Sequence, residues 1–146
     1  MKKNKKAPLV FFNASVVIAG IKSPKGGSGK LLSWIKNKRI KGIISEIIRQ
    51  EIIKNAPKIN IRNKNLQTKT DQVFPVIIKE PDKKTVDQFL KIITDAGDAH
   101  VLASAQETKA DFLVSLDKKH ILILKRKIKN FQIISPGELI EKLNLK

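Results

Sequence analysis

The sequence has no cysteine and only two histidines among its 146 residues. Without thiolates, a disulfide scaffold and a cysteine zinc site are both excluded. The histidines, His100 and His120, have no third histidine near them, so a histidine-based zinc site is not predicted either. A chain without cysteine suits a reducing compartment, and we expect the protein to work in the cytoplasm.

Long apolar runs are also lacking. No stretch approaches the ~20 apolar residues that span a bilayer, so no membrane-spanning segment is expected. The basic start Met1–Lys6 precedes an apolar segment, as in a secretion signal, but Asn13 and Ser15 interrupt that segment and no clear cleavage motif follows. We expect a basic tail over residues 1–7 and a single domain over residues 8–146.

Acidic residues are scarce beside basic ones. The chain has 13 Asp and Glu against 30 Lys and Arg, a formal net charge of +17. Such an excess attracts a polyanion, for which nucleic acid is the obvious candidate. An anionic membrane surface, an acidic protein or a compositional bias with a solvated surface are the alternatives. Charge alone does not separate RNA from DNA.

Short apolar runs alternate with amphipathic segments along the chain. Strands are expected at residues 9–12, 42–44, 73–78, 112–114 and 131–134. Helices are expected at 31–38, 45–53, 85–93, 97–108 and 136–143, with loops after Asn13 and, as a loop or a weak helix, at 56–72. This alternation predicts an α/β fold in three layers, a parallel sheet with helices on both faces.

A glycine-rich segment, Lys25–Lys30, superficially resembles a phosphate-binding loop. That motif requires a glycine, four intervening residues, a Gly-Lys pair and then a Ser or Thr. Here Pro24 and Leu31 occupy the first and the last of these positions. We therefore interpret the segment as a turn that begins a helix.

Polar residues at predicted strand ends are more informative. Asn13 and Asp117 follow directly on strands, and Asp98 lies in the first turn of a helix. Because ligands of parallel sheets bind outside the carboxyl ends of the strands, these residues are expected to meet there. Each has an ordinary alternative as a turn residue or a helix cap. The carboxylates of Glu51, Asp98 and Asp117 would repel one another at one sheet edge unless a cation such as Mg²⁺ or Mn²⁺ neutralised them.

Six segments carry a family resemblance that runs from Val10 to Leu143. They are Val10–Ile18, Ser23–Leu32, Ile44–Glu51, Asp95–Ala105, Ala110–His120 and Ile133–Leu139. Their content and order resemble the PIN-domain nucleases, closest to the stand-alone VapC-like PIN proteins, the toxin components of toxin–antitoxin systems.

The resemblance implies a site residue by residue. Glu51, Asp98 and Asp117 match the second, third and fourth acidic positions, with Glu46 a less favoured match for the second. Ser115 matches the small hydroxyl residue before the last aspartate. The first acidic position, an aspartate in the family, is Asn13 here.

By the same resemblance, the implied activity is a metal-dependent endoribonuclease that uses Mg²⁺ or Mn²⁺ and acts on RNA. A homodimer and a small antitoxin partner are also implied. Asn13 can ligate a hard cation through its amide oxygen but brings no charge, so weaker metal binding and cleavage are expected.

Three explanations of Asn13 stay open at this point. The protein binds RNA without cleaving it, it cleaves slowly with three carboxylates, or the chain is a variant disabled by substitution. The runner-up function is thus a non-catalytic RNA-binding module on the same fold. A DNA-binding protein is less favoured, because no groove-reading motif is apparent.

Overall fold

The computed structural model describes residues 7–144, and the predicted basic tail lies outside the described residues except for Ala7. The five strands are β1 (Leu9–Phe12), β2 (Lys41–Ser45), β3 (Ile77–Ile78), β4 (Phe112–Val114) and β5 (Gln132–Ile134). The α-helices are α1 (Ala14–Lys22), α2 (Gly27–Lys36), α3 (Glu46–Lys54), α4 (Asn63–Val73), α5 (Lys83–Leu90), α6 (Ala96–Glu107) and α7 (Pro136–Asn144). Two 3₁₀ turns, Ala56–Ile59 and Leu122–Leu124, complete the set.

All five strands are parallel, in the order β3-β2-β1-β4-β5. Because parallel crossovers are right-handed, the helices between β1 and β3 cover one face and those between β3 and β4 cover the other. The chain then returns to the first face, where α7 packs against α2. The predicted three-layer α/β fold with a parallel sheet is confirmed.

The core is centred on the middle strands. Val10, Phe11 and Phe12 of β1 are fully buried, as expected for a parallel strand with helices on both faces. The ring of Phe12 meets that of Phe74 edge to face, with centroids 5.3 Å apart. This packing fixes the carboxyl end of β1, from which Asn13 follows.

The segment after Asn13 differs from the prediction. A loop was expected there, but residues Ala14–Lys22 form α1. Val16, Val17 and Ile21 are buried in this helix. β-Branched residues have modest helix propensity and the segment has no clear polar face, so tertiary packing decides its conformation.

Two further segments refine the prediction. Between residues 56 and 72 the weak-helix alternative is right, because a 3₁₀ turn and then α4 occupy that stretch. The strand expected at 73–78 is reduced to β3. Val73 ends α4, and Pro75 cannot donate a backbone hydrogen bond. β3 lies at the sheet edge, as the proline predicts.

Two predicted helix starts are confirmed. The Ser45 hydroxyl accepts the Ile48 N–H at 3.1 Å and caps α3. Ser135 and Glu138 form a reciprocal capping box, since Glu138 N–H donates to Ser135 Oγ at 3.2 Å and Ser135 N–H donates to Glu138 Oε1 at 3.2 Å.

The glycine-rich segment has a packing role. Gly29 lies within α2, where a Cβ atom would overlap the backbone of Pro24. A glycine is therefore required for the close approach of α2 to the preceding turn. This agrees with a turn that begins a helix.

Every helix within residues 7–144 is too short or too polar to traverse a lipid bilayer.

Candidate active site

The candidate site lies where the strand order reverses. β1 leads to β2 on one side, and β4 later pairs with β1 on the other side. Such a switch point opens a crevice at the carboxyl ends of the strands. A cleft of about 440 Å³ occupies this position. It is lined by Asn13, Ser15, Ile18, Glu51, Asn55, Asp95, Gly97, Asp98, Val101, Asp117 and His120.

The floor of this acidic cleft is a hydrogen-bond network that joins β1 to β4. The Nδ2 atom of Asn13 donates to Ser115 Oγ at 2.9 Å, and the Asp117 N–H donates to the same hydroxyl at 3.0 Å. The Asn13 N–H also donates to the Val114 carbonyl at 3.0 Å. Ser115 is fully buried, and it fixes Asn13 and Asp117 relative to each other.

The first turn of α6 supplies the next carboxylate. Asp95 caps this helix, because its Oδ1 accepts the Asp98 N–H at 2.9 Å. Asp98 is then held beside the positive end of the helix dipole. The predicted helix start is thus confirmed, with the capping side chain on Asp95.

Asp117 is held from its C-terminal side by a turn. Its Oδ1 accepts the backbone N–H of His120 at 3.0 Å and lies 3.3 Å from His120 Nδ1. One ligand atom from each of Asp98, Asp117 and His120 falls within 4.8 Å of the other two. This three-residue group does not include Glu51, which lines the same cleft from α3.

The crowding of carboxylates shifts their proton affinities. Burial raises the pKa of Asp98, and the negative charges of Asp95 and Asp117 raise it further, against a lowering effect of His120. Glu51 as a whole residue is exposed, but its carboxylate is partly buried, and this burial raises its pKa. The negative charges of Asp98 and Asp95 raise the pKa further, and the positive charge of Lys54 lowers it. The environment of the cleft therefore disfavours the ionised forms of Asp98 and Glu51.

The donors suit a divalent cation. Ligands of Mg²⁺ or Mn²⁺ lie about 2.1–2.2 Å from the ion, so two of them are at most about 4.4 Å apart. One ligand atom each from Asp98, Asp117 and His120 lies within 4.8 Å of the other two, which is close to that limit. A cation there would also relieve the repulsion that raises the pKa of Asp98.

The structure brings most of the predicted site residues together. Asn13, Glu51, Asp98 and Asp117 line one cleft, and Ser115 lies directly behind it. Glu46 is exposed in the first turn of α3 and does not line the cleft.

Sequence reasoning missed His120 as a site residue. The spacing of three residues between Asp117 and His120 could have indicated this, because a tight turn brings the side chains at its first and last positions close together.

The sequence of this chain matches that of a known family over most of its length. Residues 9–119 match the sequence profile described as PIN domain. The chain belongs to the PIN domain family. The resemblance predicted from the sequence is confirmed at this level, and no curated protein sequence matches the PIN chain.

Solved structures share the PIN fold at low sequence identity. PAE2754 from Pyrobaculum aerophilum is 18% identical with a TM-score of 0.67, over 98% of this chain and 100% of that one. VapBC2 from Rickettsia felis, bound to a promoter DNA fragment, is 17% identical with a TM-score of 0.66, over 87% and 98%. A toxin–antitoxin complex from Klebsiella pneumoniae is 17% identical with a TM-score of 0.65, over 87% and 97%.

Proposed function

We propose that this PIN-domain chain is a Mg²⁺- or Mn²⁺-dependent endoribonuclease, the toxin of a toxin–antitoxin pair. The observation that carries the proposal is the convergence of Asp98, Asp117 and His120 within 4.8 Å at the switch point of a parallel sheet. Two carboxylates so close together, with raised pKa at one of them, are typical of a site that holds a cation.

The proposed roles follow from position. Asp98 and Asp117 would hold the cation, with the His120 imidazole and the Asn13 amide oxygen as neutral ligands. When bound, a divalent cation supplies Lewis-acid stabilisation of the charge that develops on a phosphodiester during hydrolysis.

Glu51 would act from the other wall of the cleft. It lies outside the three-residue group, so its negative charge would balance the cation from a greater distance. A carboxylate with raised pKa is also a stronger base than an ordinary surface glutamate, which suits a group that takes a proton from water. Ser115 would position Asn13 and Asp117 through its two hydrogen bonds.

The proposed partners rest on charge and on fold. The net charge of +17 favours a polyanionic substrate, and RNA is the substrate that the family resemblance implies. Two of the structures with this fold are toxin–antitoxin assemblies, which supports an antitoxin partner for this chain. A homodimer and a cytoplasmic location are part of the same proposal.

The test is a calorimetric Mn²⁺ titration together with RNA cleavage, on the parent chain and on Asp98→Asn and Asp117→Asn. We expect measurable binding by the parent and strongly reduced binding by both variants. Asp87→Asn, an exposed acid on α5 outside the cleft, is the control and should bind as the parent does. Equal binding by all four proteins would place the cation elsewhere and defeat the proposal.

The second candidate is an RNA-binding module without catalysis, and Asn13 is the observation that favours it. With an amide at position 13 the cleft has one carboxylate fewer than the family pattern. RNA binding without cleavage, in both the parent and Asn13→Asp at saturating Mn²⁺, would establish this alternative.

A further inference from the structure

A groove rich in lysine lies at the opposite end of the sheet from the acidic cleft. Two adjoining hollows of about 620 and 360 Å³ open beside the residues that precede β4 and β5. They share Gln106, Ile128, Lys129 and Asn130. The remaining lining residues are Gln88, Phe89, Ile92, Lys109, Ala110, Asp111, Lys125, Lys127, Phe131 and Gln132. We call this surface the basic groove.

Its positive charge is largely uncompensated. Within residues 7–144, none of the ion pairs involves Lys109, Lys127 or Lys129. Lys125 is paired with Glu138 at 3.1 Å. The single carboxylate in the lining belongs to Asp111, and its Oδ2 accepts the Leu9 N–H at 2.8 Å. The Leu9 N–H is neutral, so Asp111 keeps its charge, and Lys109, Lys127 and Lys129 still leave the lining with a net positive charge.

The basic segment of the groove, residues 125–130, has a fixed backbone conformation before any ligand arrives. Ile128 is buried, and its N–H donates to the Leu124 carbonyl at 3.1 Å. Asn130 Nδ2 donates to Gln106 Oε1 at 2.8 Å, which ties the segment to the end of α6. Because the backbone that carries Lys127 and Lys129 is already ordered in the folded protein, binding loses less conformational entropy than it would with a flexible tail.

The groove also offers surfaces for more than phosphate. Ile92 is half exposed beside the buried ring of Phe89, and Gln88 adds an amide. A single RNA strand presents regularly spaced phosphates together with the apolar faces of sugars and bases. This combination matches an RNA strand better than a run of Asp and Glu, whose side chains offer no flat apolar faces.

Helix α6 sets the distance between the two sites. Asp98 lies in its first turn at the acidic cleft, and Gln106 lies near its end at the basic groove. Its 12 residues correspond to about 18 Å. Because much of α6 is buried, an RNA strand would follow the protein surface around it. At about 3.4 Å per nucleotide it would need at least about five or six nucleotides to connect the two sites.

We propose that the basic groove binds the phosphate backbone of the RNA substrate at a distance from the acidic cleft, so that long RNA is held at two places. The inference rests on the proposed function in that the ligand is the same RNA that enters the cleft. Short RNA occupies only one of the two sites.

The test compares two triple variants with equal charge change. Lys109→Gln/Lys127→Gln/Lys129→Gln removes the groove charges, and Lys36→Gln/Lys58→Gln/Lys69→Gln removes three exposed charges that line neither site. Binding of single-stranded RNA of about 20 and of about 4 nucleotides is followed by fluorescence anisotropy across a salt series, with Ca²⁺ in place of Mg²⁺ or Mn²⁺ so that a cation offsets the carboxylates of the acidic cleft while hydrolysis stays slow.

We expect the groove variant to lose about tenfold or more in affinity for the long RNA, with a salt slope smaller by about 2. Its affinity for the short RNA should stay within about twofold of its matched control. Thermal melts of both variants should coincide with that of the parent, because the substituted side chains are exposed.

Three results would overturn the inference. Equal weakening by both triple variants would reduce the effect to net charge. Unchanged binding of long RNA by the groove variant would show that the RNA does not bind in the groove. Unchanged RNA binding with loss of binding to an oligoglutamate peptide would assign the groove to an acidic protein partner.

Failure of the proposed function would appear differently. If the protein binds no Mn²⁺ and cleaves no RNA, the nuclease proposal is wrong. If its affinity for long RNA still depends on the groove lysines, the basic groove is an RNA-binding site all the same.

Discussion

The side chain of Asn13 donates a hydrogen bond to Ser115 Oγ at 2.9 Å, across 102 positions of sequence. Because that hydroxyl also accepts the Asp117 N–H, one buried serine aligns the polar residues that follow β1 and β4. The amide nitrogen of Asn13 is thereby occupied, and its oxygen is the atom left for a cation. An aspartate at position 13 could instead accept a hydrogen bond from the Ser115 hydroxyl, with no change in the backbone.

Asn13→Asp should therefore increase cation affinity. The added charge lies in the acidic cleft, and the affinity of oxygen sites depends on the number of charged ligands, so we expect Mn²⁺ to bind at least about tenfold more tightly. Isothermal titration calorimetry measures the change. Asn65→Asp, an exposed site on α4, introduces the same charge away from the cleft and should leave the affinity unchanged. No difference between the two variants would remove position 13 from the site.

Ser115→Ala should destabilise the fold. It leaves the Asn13 amide and the Asp117 N–H without their acceptor, and unsatisfied buried groups cost about 1–3 kcal/mol. Urea unfolding gives the free energy. Ser33→Ala, on the exposed side of α2, should change it by less than about 0.5 kcal/mol. A Ser115 variant as stable as the Ser33 variant would show that the network contributes nothing to stability.

His120→Ala should alter the choice of cation. Imidazole suits first-row transition metals, whereas Mg²⁺ prefers oxygen ligands. We expect Mn²⁺ affinity to fall by about tenfold or more, with a smaller effect on Mg²⁺. The measurement is a pair of titrations on parent and variant. His100→Ala, on the same helix as Asp98 but outside the cleft lining, is the control. A His120→Ala variant that binds Mn²⁺ as tightly as His100→Ala does would exclude a ligand role for His120.

The pH dependence of stability should have opposite signs at two aspartates. The pKa of Asp98 is raised in the folded protein by burial and by Asp95 and Asp117. The folded state then binds the proton more tightly than the unfolded chain, so stability falls as pH rises above about 3.9, the ordinary aspartate pKa. Without divalent cations, Asp98→Asn should raise the melting temperature at pH 7, and the gain should vanish below the ordinary pKa.

Asp71 provides the opposite case. Its hydrogen bonds from Arg49, at 2.7 and 2.8 Å, lower its pKa, so its stabilising effect is present above the ordinary value and is lost as pH falls through the folded-state pKa. Asp71→Asn should lower the melting temperature at pH 7, with a difference that shrinks at acidic pH. Calorimetric scans between pH 3 and pH 7 compare the two variants, and changes of the same sign would contradict the electrostatic account.

Two glycines should respond oppositely to alanine. A Cβ at Gly29 would overlap the Pro24 backbone, and such overpacking costs about 1–3 kcal/mol. Gly137 lies in α7 with nothing within 4 Å of the added atom, so Gly137→Ala should stabilise the protein by about 0.5–1 kcal/mol. Urea unfolding measures both. A neutral Gly29→Ala would mean that the glycine-rich segment is not retained for packing.

Much of the fold is readable from the sequence because local signals agree with tertiary structure. The strands β1 and β4 are compact apolar runs, and the caps Ser45 and Ser135 have a recognisable residue pattern. α1 escaped prediction because its periodicity is blurred by residues buried on several sides. Its helical state depends on contacts with α2 and α3, which a local reading does not contain.

The site was predictable to the extent that it follows strand ends. Asn13 and Asp117 meet because parallel strands carry them to one edge, which the sequence pattern predicts. The Asp95 cap of α6 was also predictable, because aspartate is a preferred residue at a helix start. His120 reaches the cleft through the path of a turn, which a local pattern does not determine. The basic groove is formed by residues from α5, α6 and the segment before β5, and no local pattern indicates that these adjoin.

The backbone of Asn13 is secured independently of its side-chain charge. Its N–H is bonded to Val114, and its extended conformation starts α1 without a side-chain cap. Asparagine and aspartate codons differ by a single base, so one point mutation separates the two forms of this position. The fold thus allows a lineage to gain or lose charge here in one genetic step, without rebuilding the surrounding structure.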